Sequence, residues 1–442
     1  MQLSGKHGAP QPGPRAQASG VERPRIAGSR GGSPAEAPLR VLHLDAGREW
    51  RGGQRQVFLL ASAMRADGHE PLVVGPPDAP LVQRLRARGL AASSVAMRGD
   101  WDLAAAHRLR ALIRTWRPDV VHAHDARAHA IALAALVGRP DVPLVVTRRV
   151  PFTPKSVRLK YGRRVARFIA ISRAVRDVMV AGGVDPARID VVHSGVPTPV
   201  IDRPRDWRTE CRWPLDAVLC GVVGAMTAEK GVAMLAALAE RLPPVTRARV
   251  RLLLLGGASI GPCTIGGVEA FRAGFVDEVH AAMAGLDVLW HPSSAEGLGT
   301  AVIDAMALGV PPVAFAVGGL RELIEDGTSG FLVPPGDVAS FAARAARLAD
   351  DAELRERLAC AGRARARAFD VSHMVSGTVR VYRARRALVP HPASNTPCPG
   401  WHARAKRAER SQTGREGGLR GQGGEPPASR RHFSSRAAAP PD

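Results

Sequence analysis

Four short stretches carry residues whose types and spacing can do chemistry. In 293-SSAEGLGTAVIDAMALG-309, Glu296 sits on a Gly-rich turn and Asp304 lies inside the helix that the turn opens. The amides of Gly297, Leu298, Gly299 and Thr300 stand beside the positive end of that helix, a setting for an anion, with two carboxylates left to hold hydroxyls. The simpler reading makes Glu296 a cap contact beside Ser293 and Ser294, and Asp304 a solvated helix carboxylate. In 224-GAMTAEKG-231, Lys230 stands at the mouth of a helix, where the dipole disfavours a cation unless polyphosphate is bound; a solvated surface lysine is the alternative. In 45-DAGREWRGGQRQV-57, Gly52 and Gly53 let the backbone approach a phosphate or a sugar, or simply make a turn. In 121-VHAHD-125, alternation puts His122 and His124 on one side of a strand end; without an obvious third ligand they suit a substrate contact or a structural role better than a metal.

These loops need rigid elements behind them. Short apolar runs, 40-RVLHLDA-46, 71-PLVVGP-76, 119-DVVHAH-124, 143-PLVVTR-148, 167-RFIAIS-172 and 190-DVVHSG-195, alternate with helical periodicity. That is the pattern of parallel sheets covered on both faces. A Pro-rich interval over 197–214 interrupts it, and the alternation then restarts with 217-AVLCGVVGA-225, a helix from about Gly231, and strands at 250–257, 287–293, 311–317 and 330–335. Helices over 338–369 and 373–388 close the chain. The stretch 257–275 reads as irregular. The predicted fold class is α/β, with two doubly wound domains, one over 39–205 and one over 206–371, followed by a last helix over 372–388. In such sheets ligands sit outside the carboxyl ends of the strands, where all four stretches fall. The Gly-, Pro- and Arg-rich segments 1–38 and 389–442 read as disordered tails.

The formal charge of the 442-residue chain is +22, and most of the surplus lies between the tails, so the folded part works near something anionic. From Arg148 to Arg176 there are ten basic residues and no acid, interleaved with apolar ones. This stretch suits peripheral contact with an anionic membrane surface, and equally a solvated cationic face. Aromatics are only 4%, and no nucleic-acid module is recognisable, so no specific nucleic acid is expected. The first strand is not followed by GxGxxG, which argues against a dinucleotide oxidoreductase. Five scattered cysteines have no metal-ligand spacing. The N-terminus lacks a signal-peptide core and no apolar run is long enough to span a bilayer, so the chain reads as cytoplasmic, with the inner membrane as its surface if it touches one.

Taken in order, WRGGQ at 50–54, PDVVHAH at 118–124, FIAISRAVRD at 168–177, VVHSGV at 191–196, EKG at 229–231, SSAEGLGTAVIDAMALGVPPVA at 293–314 and GGLRELIEDGTSGFLVPPGD at 318–337 resemble the retaining glycosyltransferases of family 4, which have the GT-B architecture. The resemblance covers roughly 40–388 and implies two Rossmann-like domains facing a cleft: an acceptor-side domain over 39–205, a nucleotide-sugar-binding domain over 206–371, and a closing helix, 372–388, that returns to the first domain. It implies transfer of a sugar from a nucleotide diphosphate sugar, a co-substrate, with retention of configuration and no required metal or other cofactor. It implies that Glu296 and Lys230 are catalytic: Glu296 holds the donor sugar and Lys230 neutralises the departing diphosphate, helped by the amides near Gly299 and Thr300 and by Gly52 and Gly53. The family's E-x7-E motif falls on Glu296 and Asp304, which gives Asp304 the nucleotide ribose. A lipid-linked or cell-envelope glycan acceptor fits the basic stretch, with His124, Arg148 and Arg149 as acceptor-side residues. Three departures stand out: Asp304 replaces the second Glu, Ala225 stands where the phosphate loop commonly has arginine, and Arg148 and Arg149 occupy the place of the acceptor-side histidine. An inactive relative acting as a binding protein and a basic nucleic-acid-binding protein are the rival readings.

Overall fold

The computed structural model describes residues 37–154 and 157–386. The tails expected to be disordered lie almost wholly outside the described residues.

Seven parallel strands form the first sheet: β1 (Arg40–Leu44), β2 (Glu70–Gly75), β3 (Ala92–Ser94), β4 (Val120–Ala123), β5 (Leu144–Arg148), β6 (Val165–Ala170) and β7 (Ile189–Val191). Their spatial order is β3-β2-β1-β4-β5-β6-β7, so the strand order reverses between β1 and β4. The second sheet contains β8 (Val218–Val223), β9 (Val250–Ile265), β10 (Val268–Gly274), β11 (Val288–His291), β12 (Pro312–Phe315) and β13 (Phe331–Val333). Its order, β10-β9-β8-β11-β12-β13, reverses between β8 and β11. The reversal in each sheet opens a crevice at the carboxyl ends of the strands. The doubly wound α/β expectation holds for both halves.

The central strands are largely apolar because each face of the sheet is covered. In β1, Leu42 and Leu44 join one core cluster while Val41 joins another on the opposite face. The final helix, Val371–Arg386, lies on that second face with Met374, Val375, Val379, Val381 and Tyr382 buried against Val41, Val120, Val145 and Ile169. Each such side chain contributes about 1.5–3 kcal/mol on burial, which ties the end of the described chain to the first sheet. One apolar cluster runs from Ile171 and Val175 of the first half to Leu298, Leu320 and Leu323 of the second.

Three local expectations change. The stretch 257–275 is an antiparallel β-hairpin, β9–β10, in which Ile265 pairs with Val268 around Gly266 and Gly267. Both glycines have positive φ, 55° and 76°, the backbone that a two-residue hairpin loop requires. The helix expected over 338–369 is two, Val338–Asp350 and Ala352–Ala366, because the Asp351 side chain accepts from the Leu354 amide and starts a new one. The segment after Gly231 begins as a 3-10 turn and becomes α-helical only at Leu235–Glu240.

Candidate active site

The loop after β11 carries Glu296, and its helix, Thr300–Leu308, starts later than the serines suggest. Ser293 lies 3.2 Å from His291 Nε2 and Ser294 bonds the Glu229 carbonyl, so neither caps it. The cap position is Gly299, at φ 99°, and no side chain accepts from the first amides of the helix. Gly297 is obligatory for another reason: a Cβ there would run into the Arg149 carbonyl oxygen of the first half. Across the cleft, helix Gly52–Ala66 begins equally uncapped at Arg51. A Cβ on Gly52 would lie 3.6 Å from Thr300 Oγ1, and one on Gly53 would lie 3.7 Å from Arg149 Cδ. Two open helix N-termini therefore face each other, one from each sheet, with their free amides and positive dipole ends converging.

Lys230, on a 3-10 turn after β8, extends past Gly224 to Glu296, with Nζ 2.5 Å from Oε1. His291, at the end of β11, places Nε2 3.2 Å from the same oxygen. Burial opposes charge on Glu296, but the His291 hydrogen bond and the Lys230 ammonium overcome it and hold the carboxyl at about 2. Glu296 is therefore ionised at neutral pH and has no proton to donate. Lys230 and Glu296 neutralise each other in this arrangement.

Asp304 is not a solvated helix carboxylate. It is buried, its side chain 3% exposed, and both oxygens are engaged: Arg55 of the facing helix grips it with Nη1 and Nη2, and His280 Nε2 lies 2.9 Å from Oδ1. These contacts outweigh desolvation and lower its pKa.

The histidines form a cluster of three rather than two. His43 on β1 is in register with His122 on β4, and ring nitrogens of His43, His122 and His124 come within 4.8 Å of one another. His122 spends both nitrogens on Tyr382 Oη (2.6 Å) and Thr147 Oγ1 (2.7 Å). Arg149 donates to His124 Nδ1 at 3.3 Å, and His124 Nε2 meets His43 Nδ1 at 3.0 Å. Burial drives all three pKa values down, to about 3 for His43, so the rings stay neutral. Both His122 nitrogens are hydrogen-bonded, a guanidinium stands alongside the cluster, and His124 is buried with both ring nitrogens engaged.

The two arginines part company. Arg148 turns away from the cleft to the Phe152 carbonyl (2.6 Å) and Tyr161 Oη (3.3 Å). Arg149 stays under Gly53, its pKa pulled to about 10 by desolvation against the pull of Asp45, Tyr382 and Asp125, so it remains charged. Nor does the basic run 148–176 form one cationic face: Arg164 binds the carbonyls of Arg139 and Val142, Arg167 pairs with Asp190, and Lys160 pairs with Asp100. The residues 155–156 within it lie outside the described residues.

Sequence reasoning missed Arg55, His280, His291, His43 and Asp45. Asp45 directly follows β1 at the strand-order reversal, buried, accepting from Gln54 Nε2 (3.0 Å) and the Gly47 amide (2.9 Å), its pKa raised by desolvation and by Asp125. Position at a strand end signalled His291 and Asp45; nothing local signalled Arg55 or His280. The halves are further joined by Ser172, which donates to the Gly297 carbonyl at 2.6 Å, and by Glu322, which accepts from the Ala174 amide and lies 2.9 Å from His193 Nε2.

Residues 217–351 match the family model described as glycosyl transferases group 1, and residues 50–199 match glycosyltransferase family 4. The chain is 31% identical over 352 residues to a 2-deoxystreptamine N-acetyl-D-glucosaminyltransferase of Streptomyces fradiae, covering 68% of this chain and 83% of that protein. The chain belongs to the family-4 glycosyltransferases. A phosphatidyl-myo-inositol mannosyltransferase of Mycobacterium leprae is also 31% identical, over 75% of this chain and 92% of its own. Among solved structures, Anabaena HepE in complex with UDP-glucose superposes with a TM-score of 0.69 at 21% identity, covering 78% of this chain and all of that one. That likeness establishes the GT-B fold that the two strand orders describe. Glycosyltransferase activity follows from membership of the family. Among the described residues no helix is long and apolar enough to cross a membrane.

Proposed function

We propose that this glycosyltransferase moves a hexose from a nucleoside diphosphate sugar to an acceptor hydroxyl with retention at the anomeric carbon. The observation that carries this reading is the pair of uncapped helix N-termini facing each other at Gly52 and Thr300, with Lys230 beside them. A diphosphate between them meets amides from both halves and a cation from the second. As the bond from the anomeric carbon to the diphosphate oxygen breaks, negative charge grows on that oxygen, and fixed donors aimed at it lower the barrier. Lys230 thereby supplies the positive charge that a metal gives elsewhere, and none is required. Lys230 passes from Glu296 to the phosphate, and Glu296 is freed to accept from donor-sugar hydroxyls. Because Glu296 is ionised, it is not the proton donor; the acceptor proton goes to the departing phosphate oxygen as the new glycosidic bond forms on the same face. Asp304 receives the nucleotide ribose.

On the acceptor side, Arg149 takes the place of the family's histidine, held by His124 beneath the cleft; Arg148 turns away and has no part. Uridine is the first nucleotide to test, because HepE was crystallised with UDP-glucose. A lipid-linked or envelope acceptor is supported by the lipid named for the mannosyltransferase relative, and by Val150 and Phe152, which are exposed beside Arg149. The reading is tested by thermal shift of the full chain against UDP-, GDP-, ADP- and TDP-sugars, with Glu296→Ala and Lys230→Ala alongside. One nucleotide class stabilising the wild type and not Lys230→Ala is the expected result; no shift with any donor refutes the reading.

A further inference from the structure

Asp45, His124 and Arg149 stand side by side at the carboxyl ends of neighbouring strands of the first sheet, just after β1, β4 and β5 and across the point where the strand order reverses. That is where a doubly wound sheet receives a ligand. A guanidinium has five N–H donors, and Arg149 places two of them, both at long range and both on neutral groups: Nη1 on Ser194 Oγ at 3.5 Å and Nη2 on His124 Nδ1 at 3.3 Å. Its Nε is buried without a partner. Asp45 and Asp125 are near enough to be felt as charges, but among the described residues neither forms an ion pair with it. Their oxygens are held elsewhere: Asp45 accepts from Gln54 Nε2 and the Gly47 amide, and Asp125 from the amides of Ala46, Arg127 and Ala128.

The rings beneath hold the arginine in this position. A guanidinium only donates, so His124 accepts on Nδ1 and, being neutral, carries its proton on Nε2. That proton goes to His43 Nδ1 at 3.0 Å, which puts the His43 proton on Nε2, buried and unpartnered. The chain from His43 through His124 thus steadies the guanidinium from below and leaves its other donors unpaired. A guanidinium taken this far out of water without a carboxylate is costly, and an anion on its free edge offsets that cost. We infer that the acceptor carries an anionic group, a phosphate or a carboxylate, and that this group docks on Arg149 in the crevice of the first sheet. This rests on the donor-site reading given above, in which Lys230 already neutralises the diphosphate. Among the described residues the head of Arg149 bonds Ser194 and His124, both of the first half, so its anion belongs to the molecule that fills that half.

The test uses the full chain as wild type, Arg149→Met, which keeps the stem without donors, and Arg149→Lys, which keeps the charge without the fork. UDP, GDP and ADP are titrated calorimetrically into each protein. Inorganic phosphate is then titrated into the protein saturated with the nucleotide that binds, and circular dichroism reports the fold. The expected result is phosphate binding on top of the nucleotide, weakened about tenfold or more in Arg149→Met and less in Arg149→Lys, with nucleotide affinity kept within about twofold. No phosphate binding to the loaded wild type, or equal binding by a folded Arg149→Met, overturns the proposal. A parallel loss of nucleotide affinity also overturns it, because Arg149 then serves the diphosphate. If Arg149→Met does not fold, Arg149→Lys is judged by the same comparisons, with about a threefold loss of phosphate binding required. Glycerol 3-phosphate, and vesicles of phosphatidylcholine with and without phosphatidylglycerol, then compete with the phosphate. Displacement by the soluble ester marks a soluble acceptor, displacement by the anionic vesicles alone marks a lipid headgroup, and displacement by neither overturns the acceptor assignment. If no nucleotide binds any of the proteins, the donor reading fails. Phosphate titrated into the free proteins then decides the anion site alone: loss in Arg149→Met upholds it and equal binding removes it.

Discussion

Replacing Lys230 by Met removes the ammonium and little else. The Lys230 stem runs past Gly224 and, among the described residues, its Nζ is bonded to Glu296, so a methionine of similar length fits the same path. In the ligand-free protein Glu296 keeps the His291 hydrogen bond and loses the ammonium, so its carboxyl titrates higher. In the nucleotide complex the variant lacks a charge-assisted hydrogen bond to the diphosphate, an interaction contributing about 1.5–3 kcal/mol. That is about 10- to 150-fold in affinity. The helix amides near Gly52 and Thr300 are untouched, so binding is weakened and not abolished. A nucleoside monophosphate, which lacks the terminal phosphate that Lys230 neutralises, loses much less. Calorimetry of wild type and Lys230→Met with the diphosphate and monophosphate of the same nucleoside reads this as a collapse in the preference between them. A preference that survives within about twofold would refute the assignment of Lys230 to the diphosphate.

Gly297→Ala drives a Cβ into the Arg149 carbonyl oxygen, and we expect about 1–3 kcal/mol of destabilisation in urea melts; Gly52→Ala meets only Thr300 Oγ1 at 3.6 Å and is expected to leave the melt unchanged. Tyr382→Phe strips buried His122 of its 2.6 Å partner and is expected to cost about 1–3 kcal/mol, read as a lowered Tm with no change in nucleotide affinity. Glu296 has a folded pKa of about 2 against an ordinary 4.5, so its contribution is fully present above pH 4.5 and is lost as pH falls toward 2. The contribution is on the order of 3 kcal/mol. The stability gap between wild type and Glu296→Gln is therefore expected to be largest above pH 5 and to shrink by pH 3, whereas a constant gap would contradict the charged pairing.

The fold was legible because parallel strands buried on both faces read as nearly continuous apolar runs, as in β8 and β12. The β9–β10 hairpin was hidden by glycines that dilute its periodicity, although Gly266-Gly267 between Ile265 and Val268 is itself a turn signal. In the site, Glu296, Lys230, Thr300 and the Gly52–Gly53 pair sit on loops at strand ends and could be found one stretch at a time. Asp304 could be found but not understood: its partner Arg55 lies 249 residues away, and no local spacing reports a contact that depends on how two domains face each other. His43 was recoverable in principle, since β1 and β4 flank the strand-order reversal and alternation puts His43 and His122 on one face. The basic run misled because charge counts ignore that Arg164 and Arg167 are consumed by carbonyls and by Asp190.

In the proposed donor complex a diphosphate lies between the two facing helix N-termini. A crystal structure of the full chain with the nucleoside diphosphate that binds it tests this directly. Phosphate density is expected within hydrogen-bond reach of the Gly299 and Thr300 amides, with Lys230 Nζ turned from Glu296 toward it. Phosphate density elsewhere, with Lys230 still on Glu296 in a saturated complex, would contradict it.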